Sequence, residues 1–146
     1  MSDRPAPVRG DFRHFMAIPT RWMDNDVYGH VNNVTYYSYF DTAVNHHLIE
    51  AGGLDMHNDD AFGVVAETGC RFFSELKFPD IIDAGLRVTR LGNSSVTYEI
   101  GLFRRDSDAP AALGRFVHVW VDRETRRPIP VPDKIRRALE LLVVET

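Results

Sequence analysis

From Arg21 to Tyr37 the chain reads Arg-Trp-Met-Asp-Asn-Asp-Val-Tyr-Gly-His-Val-Asn-Asn-Val-Thr-Tyr-Tyr, a stretch dense in groups that can do chemistry. Two carboxylates, Asp24 and Asp26, precede Gly29; His30 and the amides Asn32 and Asn33 follow, and a helical apolar pattern begins only after them. Asp, Asn and Gly ahead of a helix commonly form a loop and an N-cap, because their side chains bond local N–H groups and glycine accepts positive φ. A cap accounts for Asn32 or Asn33, but not for two carboxylates and a histidine gathered by one turn. A carboxylate just ahead of a helix can attack a carbonyl carbon directly or draw a proton from water. The helix start offers unpaired N–H groups and the positive end of a dipole, which suit the oxygen on which charge accumulates.

These groups need a frame. Phe12 to Met23 alternates as a first strand, and Pro19, which has no N–H, puts it at a sheet edge or ends its pairing there. Tyr37, Phe40, Val44, Leu48 and Ala51 recur at three- and four-residue intervals, which predicts a helix from about residue 33 to residue 51. Gly52 and Gly53 stop it. Past a polar connection, residues 62–76, 81–91, 95–104 and 111–122 read as strands, with turns at Lys77-Phe78-Pro79-Asp80, Gly92-Asn93-Ser94 and residues 105–110. In the first of these strands Val64, Ala66, Cys70, Phe72 and Leu76 are expected on one face. The last strand is apolar on both faces, as in a strand central to its sheet or covered by a partner. Residues 131–144 suit a short terminal helix. Strand, long helix and four strands make an α+β layer architecture.

Composition removes several function classes. The 146 residues hold one domain, read as a flexible polar segment over 1–10 and a single folded unit over 11–146. No apolar run reaches the roughly 20 residues of a membrane span, and residues 1–10 have no apolar stretch of the signal-peptide kind. The expected location is the cytoplasm, without a membrane partner. Net charge is −4, and no basic stripe interleaves with aromatics, so nucleic acid is not the expected partner. The single cysteine, Cys70, permits neither an internal disulfide nor a cysteine metal cluster, and it reads as a small buried hydrophobe. There is no H-E-x-x-H, G-x-S-x-G or P-loop pattern, and neither a metal nor another cofactor is expected.

The string Asp24-Asn25-Asp26-Val27-Tyr28-Gly29-His30-Val31-Asn32-Asn33, with Tyr36 shortly after, resembles the D-x-D-x-x-G-H-V-N-N signature of acyl-CoA thioesterases of the 4-hydroxybenzoyl-CoA thioesterase type. The likeness extends from about Phe15 to about Pro132. It implies the hotdog fold, a curled antiparallel β-sheet wrapped around one long central helix, and hydrolysis of an acyl-CoA to a free acid and CoA. By the same resemblance Asp26 carries the attack, as nucleophile or general base, and a backbone N–H near Asn33 or Val34 holds the oxyanion. His30 either orients Asp26, lines the thioester channel or simply packs. Asp24, which holds the loop, belongs with Gly29, Asn32 and Tyr36 on the substrate side; Asn32 either caps the helix or holds a carbonyl. The resemblance also puts the turn Gly92-Asn93-Ser94-Ser95 beside the pantetheine arm of CoA, with Arg90, Arg104 and Arg126 as candidates for phosphate contact. An acyl chamber would lie against Tyr36, Tyr37, Tyr39 and Phe40, although aromatics at this spacing are commonly core. Asp41 and Glu67 are rival carboxylates whose simpler reading is exposure or ion pairing. One sheet face and several strand edges remain to be covered, for which a homodimer is the simplest means, and the resemblance allows a homotetramer as well. Alternatives of the same fold are a thioesterase acting on acyl-carrier protein and a non-catalytic acyl-CoA binder; a hotdog hydratase would need a differently spaced Asp and His.

Overall fold

Alternating apolar residues form five strands, and the three- and four-residue spacing after Asn32 forms the helix that crosses them. The computed structural model describes residues 5–144. In chain order the elements are β1 (His14–Pro19), α1 (Asn33–Glu50), β2 (Ala61–Phe72), β3 (Ile81–Leu91), β4 (Ser95–Arg104), β5 (Ala112–Asp122) and α2 (Asp133–Glu140). The strands form one sheet in the order β1-β3-β4-β5-β2, every neighbour antiparallel. The chain leaves the edge strand β1, runs through α1 and enters the sheet again at the opposite edge as β2. The helix therefore lies across the inner face. This is the hotdog fold.

The core is what α1 and the inner face bury together. Phe40, Val44 and Leu48 meet Leu86 of β3, Tyr98, Ile100 and Leu102 of β4, and Phe116 and Trp120 of β5. Gly114 makes this approach possible, since a Cβ there would lie 2.6 Å from the Phe40 ring. The buried stripe of the helix is Tyr36, Tyr39, Phe40, Ala43, Val44, His47 and Leu48, so Ala51 falls outside it and a histidine falls within it. Ile135 and Leu139 anchor α2 to the same core.

The outer face has a smaller cluster of Phe12, Phe103 and Leu113. Gly85 and Gly101 leave room for Phe12, whose ring atoms would lie 2.8 Å from a Cβ at either position. Of the segment 1–10 read as flexible, residues 1–4 lie outside the described residues. Arg9, at the start of a single 3-10 turn, forms an ion pair with Asp83 at 3.0 Å and donates to the carbonyls of Arg104 and Ser107.

Two strand expectations are corrected. The first strand ends at Pro19, because Trp22–Asp24 forms a 3-10 turn stabilised by the Asp24 side chain. Residues 62–76 do not keep one face: the pairing of β2 with β5 slips between Val65 and Glu67. This bulge reverses the alternation. Val64 pairs with Val119 on the outer face, whereas Cys70 and Phe72 pair with Gly114 and Ala112 on the inner face. The strand also stops at Phe72, and Leu76 enters the core from the loop beyond it.

Candidate active site

The signature loop is a small hairpin built from its own polar groups. Asn25 bridges Val31, the Asp26 N–H donates to the His30 carbonyl at 2.8 Å, and the Gly29 N–H donates to the Asp26 carbonyl at 3.1 Å. Gly29 turns the chain at φ +86°, a conformation that costs residues with a Cβ. The loop is tied to the segment after β2, where the Val31 N–H donates to the Leu76 carbonyl and the Phe78 N–H donates to Oδ1 of Asn25.

Asp24 is the buried post of this hairpin, with 2% of its surface exposed. Its carboxylate accepts the Arg21 N–H, the Arg21 guanidinium and the Tyr39 hydroxyl, and its carbonyl accepts the Asn32 N–H. Burial alone would raise its pKa. The Arg21 side chain, then the Arg21 N–H and the Tyr39 hydroxyl, outweigh burial and hold the carboxyl below its ordinary range. The same burial and the Asp24 charge push the Tyr39 hydroxyl upward.

Asp26 stands differently. It is half-buried, and its Oδ1 accepts the N–H of Tyr28 at 2.8 Å and that of His30 at 3.4 Å. Among the described residues Oδ2 accepts nothing. At the helix start the Asn32 side chain accepts the Val34 N–H at 3.2 Å, and the Asn32 carbonyl accepts the Thr35 N–H. Asn32 is thus the N-cap. The cap occupies Val34, which corrects one of the two expected oxyanion donors. The Asn33 N–H has no acceptor among the described residues.

Asp26, His30, Asn33 and Tyr36 share a cleft of about 410 Å³ with Phe72 and Glu75. The Tyr36 hydroxyl accepts the Leu76 N–H, and its ring meets Phe72 edge-on at 4.9 Å. The His30 imidazole points to Glu75, with Nε2 and Oε2 2.8 Å apart. Of the expected aromatic chamber only Tyr36 lines this cleft; Tyr39 and Phe40 are core, at 5% and 0% exposure. Asp41 accepts the Asn45 amide, and Glu67 pairs with Arg115 at 2.5 Å, so both rival carboxylates are occupied. Cys70 is half-buried, and burial pushes its thiol up to about 11, away from the thiolate a nucleophile needs.

The turn at Asn93, Ser94 and Ser95 does not line the cleft. The carbonyls of Asn93 and Ser94 accept the N–H groups of Val131 and Trp120, and Arg136 reaches the Gly92 carbonyl at 2.6 Å. Arg90 is exposed. Arg104 donates to the Glu75 carbonyl, and Arg126 lies over the Phe62 ring at 4.8 Å. Three residues support the loop, and two of them escape a reading of the loop alone. Arg21 stands three positions before Asp24 and is a legible local partner, whereas Tyr39 and Glu75 reach the loop only through the fold.

Residues 20–139 match the thioesterase-like superfamily. The chain belongs to that superfamily. It is a thioester hydrolase. The PA5185 protein of Pseudomonas aeruginosa strain PAO1 is 52% identical, with 95% of this chain and 97% of that one covered at a TM-score of 0.93. The PA2801 protein of the same species is 33% identical, with coverages of 87% and 98% and a TM-score of 0.79. Slr0204 of Synechocystis, a 1,4-dihydroxy-2-naphthoyl-CoA thioesterase, is 17% identical, with coverages of 86% and 93% and a TM-score of 0.78; at that identity the likeness is one of fold. Among the described residues no helix is long and apolar enough to cross a membrane, and no group of three or more His, Cys, Asp or Glu residues is placed to hold a metal ion.

Proposed function

We propose that this thioesterase hydrolyses acyl-CoA in the cleft at the start of α1, with Asp26 as the attacking or proton-accepting carboxylate and the Asn33 N–H as oxyanion donor. The observation that carries this reading is the pairing, in one cleft, of a carboxylate oxygen and a helix-terminal N–H, each without a protein partner among the described residues. In the nucleophilic route Oδ2 of Asp26 bonds to the carbonyl carbon, the C–S bond breaks, and the thiolate leaves with the bonding pair. Water then splits the mixed anhydride. In the general-base route Asp26 takes a proton from the water that forms the C–O bond. Either way charge gathers on the carbonyl oxygen, where a fixed N–H in a shielded site is most effective.

Asp24 and Gly29 serve the substrate by shaping the hairpin, Asn32 by capping α1, and Tyr36 by walling the cleft. Arg90, Asn93, Ser94 and Ser95 remain assigned to the CoA arm by resemblance. The functional unit is a homodimer or a homotetramer built from it. Supporting this, among the described residues β2 pairs only with β5 and leaves an open edge, beside which Val64, Val65 and Phe72 are 42%, 45% and 48% exposed. Thiol release from a panel of short, medium, long and aromatic acyl-CoA esters tests the function. At least one ester should be split with turnover; release from none would contradict it.

A further inference from the structure

His30 and Glu75 meet across the cleft from different parts of the chain, and each is fixed at its backbone. On one side the His30 carbonyl accepts the Asp26 N–H and the His30 N–H donates to Oδ1 of Asp26. On the other, the carbonyl of Glu75 accepts from the Arg104 guanidinium at 3.1 Å. The side-chain contact, 2.8 Å between Nε2 and Oε2, is exposed at both ends, 40% for His30 and 71% for Glu75. Exposed pairs of this kind add little to stability. Its position is more informative. The pair forms the shared wall of the 410 Å³ cleft and a polar cavity of about 360 Å³ lined also by Lys77, Asp80 and Arg104.

We infer that Glu75 is a positioning residue for catalysis, holding His30 in the tautomer that presents Nδ1 as a proton acceptor at the cleft. The inference rests on the function proposed above. A neutral imidazole that donates Nε2–H to a carboxylate has its lone pair on Nδ1, and the bond also fixes the ring plane. When Asp26 attacks as a nucleophile it becomes part of the anhydride and is no longer free to accept a proton. A second base is then needed. Water attacks the anhydride carbonyl and its proton passes to Nδ1 of His30; the new C–O bond forms as the bond to Asp26 breaks, returning the Asp26 carboxylate with its electron pair. His30 gives the proton to solvent, and the CoA thiolate takes one from solvent. The roles thus divide between Asp26 as nucleophile and His30 as base, with Glu75 acting through His30.

The test uses the full-length protein and whichever acyl-CoA ester the wild type splits fastest. Because Glu75 is exposed, Glu75→Ala should fold normally. It should lower kcat roughly tenfold or more, part of the factor a positioned base contributes, and leave KM within about twofold. Glu75→Gln, whose amide oxygen can still accept Nε2–H, should recover much of that loss. In the His30→Ala background, Glu75→Ala should add no further loss. A structural role would not move the second readout: ¹⁵N-histidine NMR, with His30 assigned by its absence in His30→Ala, should show the Nε2–H tautomer in the wild type and a mixture in Glu75→Ala. Unchanged kcat in Glu75→Ala, an unchanged tautomer, or additive losses would overturn the inference while leaving the thioesterase reading intact. A wild type that splits no acyl-CoA would overturn that reading, and this inference with it.

Discussion

Two aspartates two positions apart stand in different surroundings, and the proposed function gives them different work. Asp24 is buried and saturated by Arg21 and Tyr39, whereas Asp26 is half-buried, lines the cleft and has an oxygen that accepts nothing among the described residues. Asp24→Asn should therefore act on stability. It removes the charge that receives three donors and should cost roughly 2 kcal/mol, read as a lower urea midpoint, while turnover changes less than in Asp26→Asn. A large loss of turnover at unchanged stability would instead put Asp24 in the chemistry. The sequence string narrowed the cap to Asn32 or Asn33, since caps are local, and the structure places it at Asn32; Asp26 was pointed to by resemblance. Glu75 was legible only as a polar position in a presumed strand. Its contact with His30 depends on where the chain returns after β2, which no local spacing encodes.

At the level of elements, strand and helix identities followed from periodicity, and β3 and β4 ended where their turn residues predicted. The bulge in β2 did not. A single extra residue leaves composition unchanged but moves Cys70 and Phe72 to the face opposite Val64. Helix-to-sheet packing hides two histidines as well. His47 of α1 lies 4.6 Å, ring to ring, from His14 of β1, and His118 of β5 packs against Tyr98 and Trp120. Burial, with His14 and His46 adding to it, lowers His47 to about 4; burial alone lowers His118 to about 4. Unfolded histidine binds its proton near pH 6.5, so between about pH 6.5 and 4 the unfolded chain holds more protons than the native one, and stability falls with pH through that window. For His118, the more deeply buried of the two, this amounts to on the order of 3 kcal/mol at the limit. Urea midpoints at pH 7.5, 6 and 5 should decline, and His118→Leu should flatten the slope. An equal decline in that variant would show that His118 is not its source. The losses from Asp24 and Asp83, both held below the usual carboxylate range, come at still lower pH.

The whole molecule brings the hairpin, the cap of α1 and the segment after β2 to one cleft, and leaves β2 as a free edge with apolar neighbours. Among the described residues the edge is left unpaired and Val64, Val65 and Phe72 beside it stay exposed, so a second copy is the expected cover. Sedimentation of dilute protein should give at least twice the 16.7 kDa of one chain; a clean mass at 16.7 kDa would exclude the dimer. The fold and the turn ahead of α1 were readable from pattern and resemblance, but the acyl group was not, because Tyr36 and Phe72 supply a wall without a selective polar contact. The central claim is that Asp26 performs the attack, and the most direct measurement is thiol release by Asp26→Asn beside the wild type on the best acyl-CoA. Asn keeps the volume and removes the charge, so turnover should fall by roughly 100-fold or more with KM little changed. Wild-type turnover in Asp26→Asn would contradict the account.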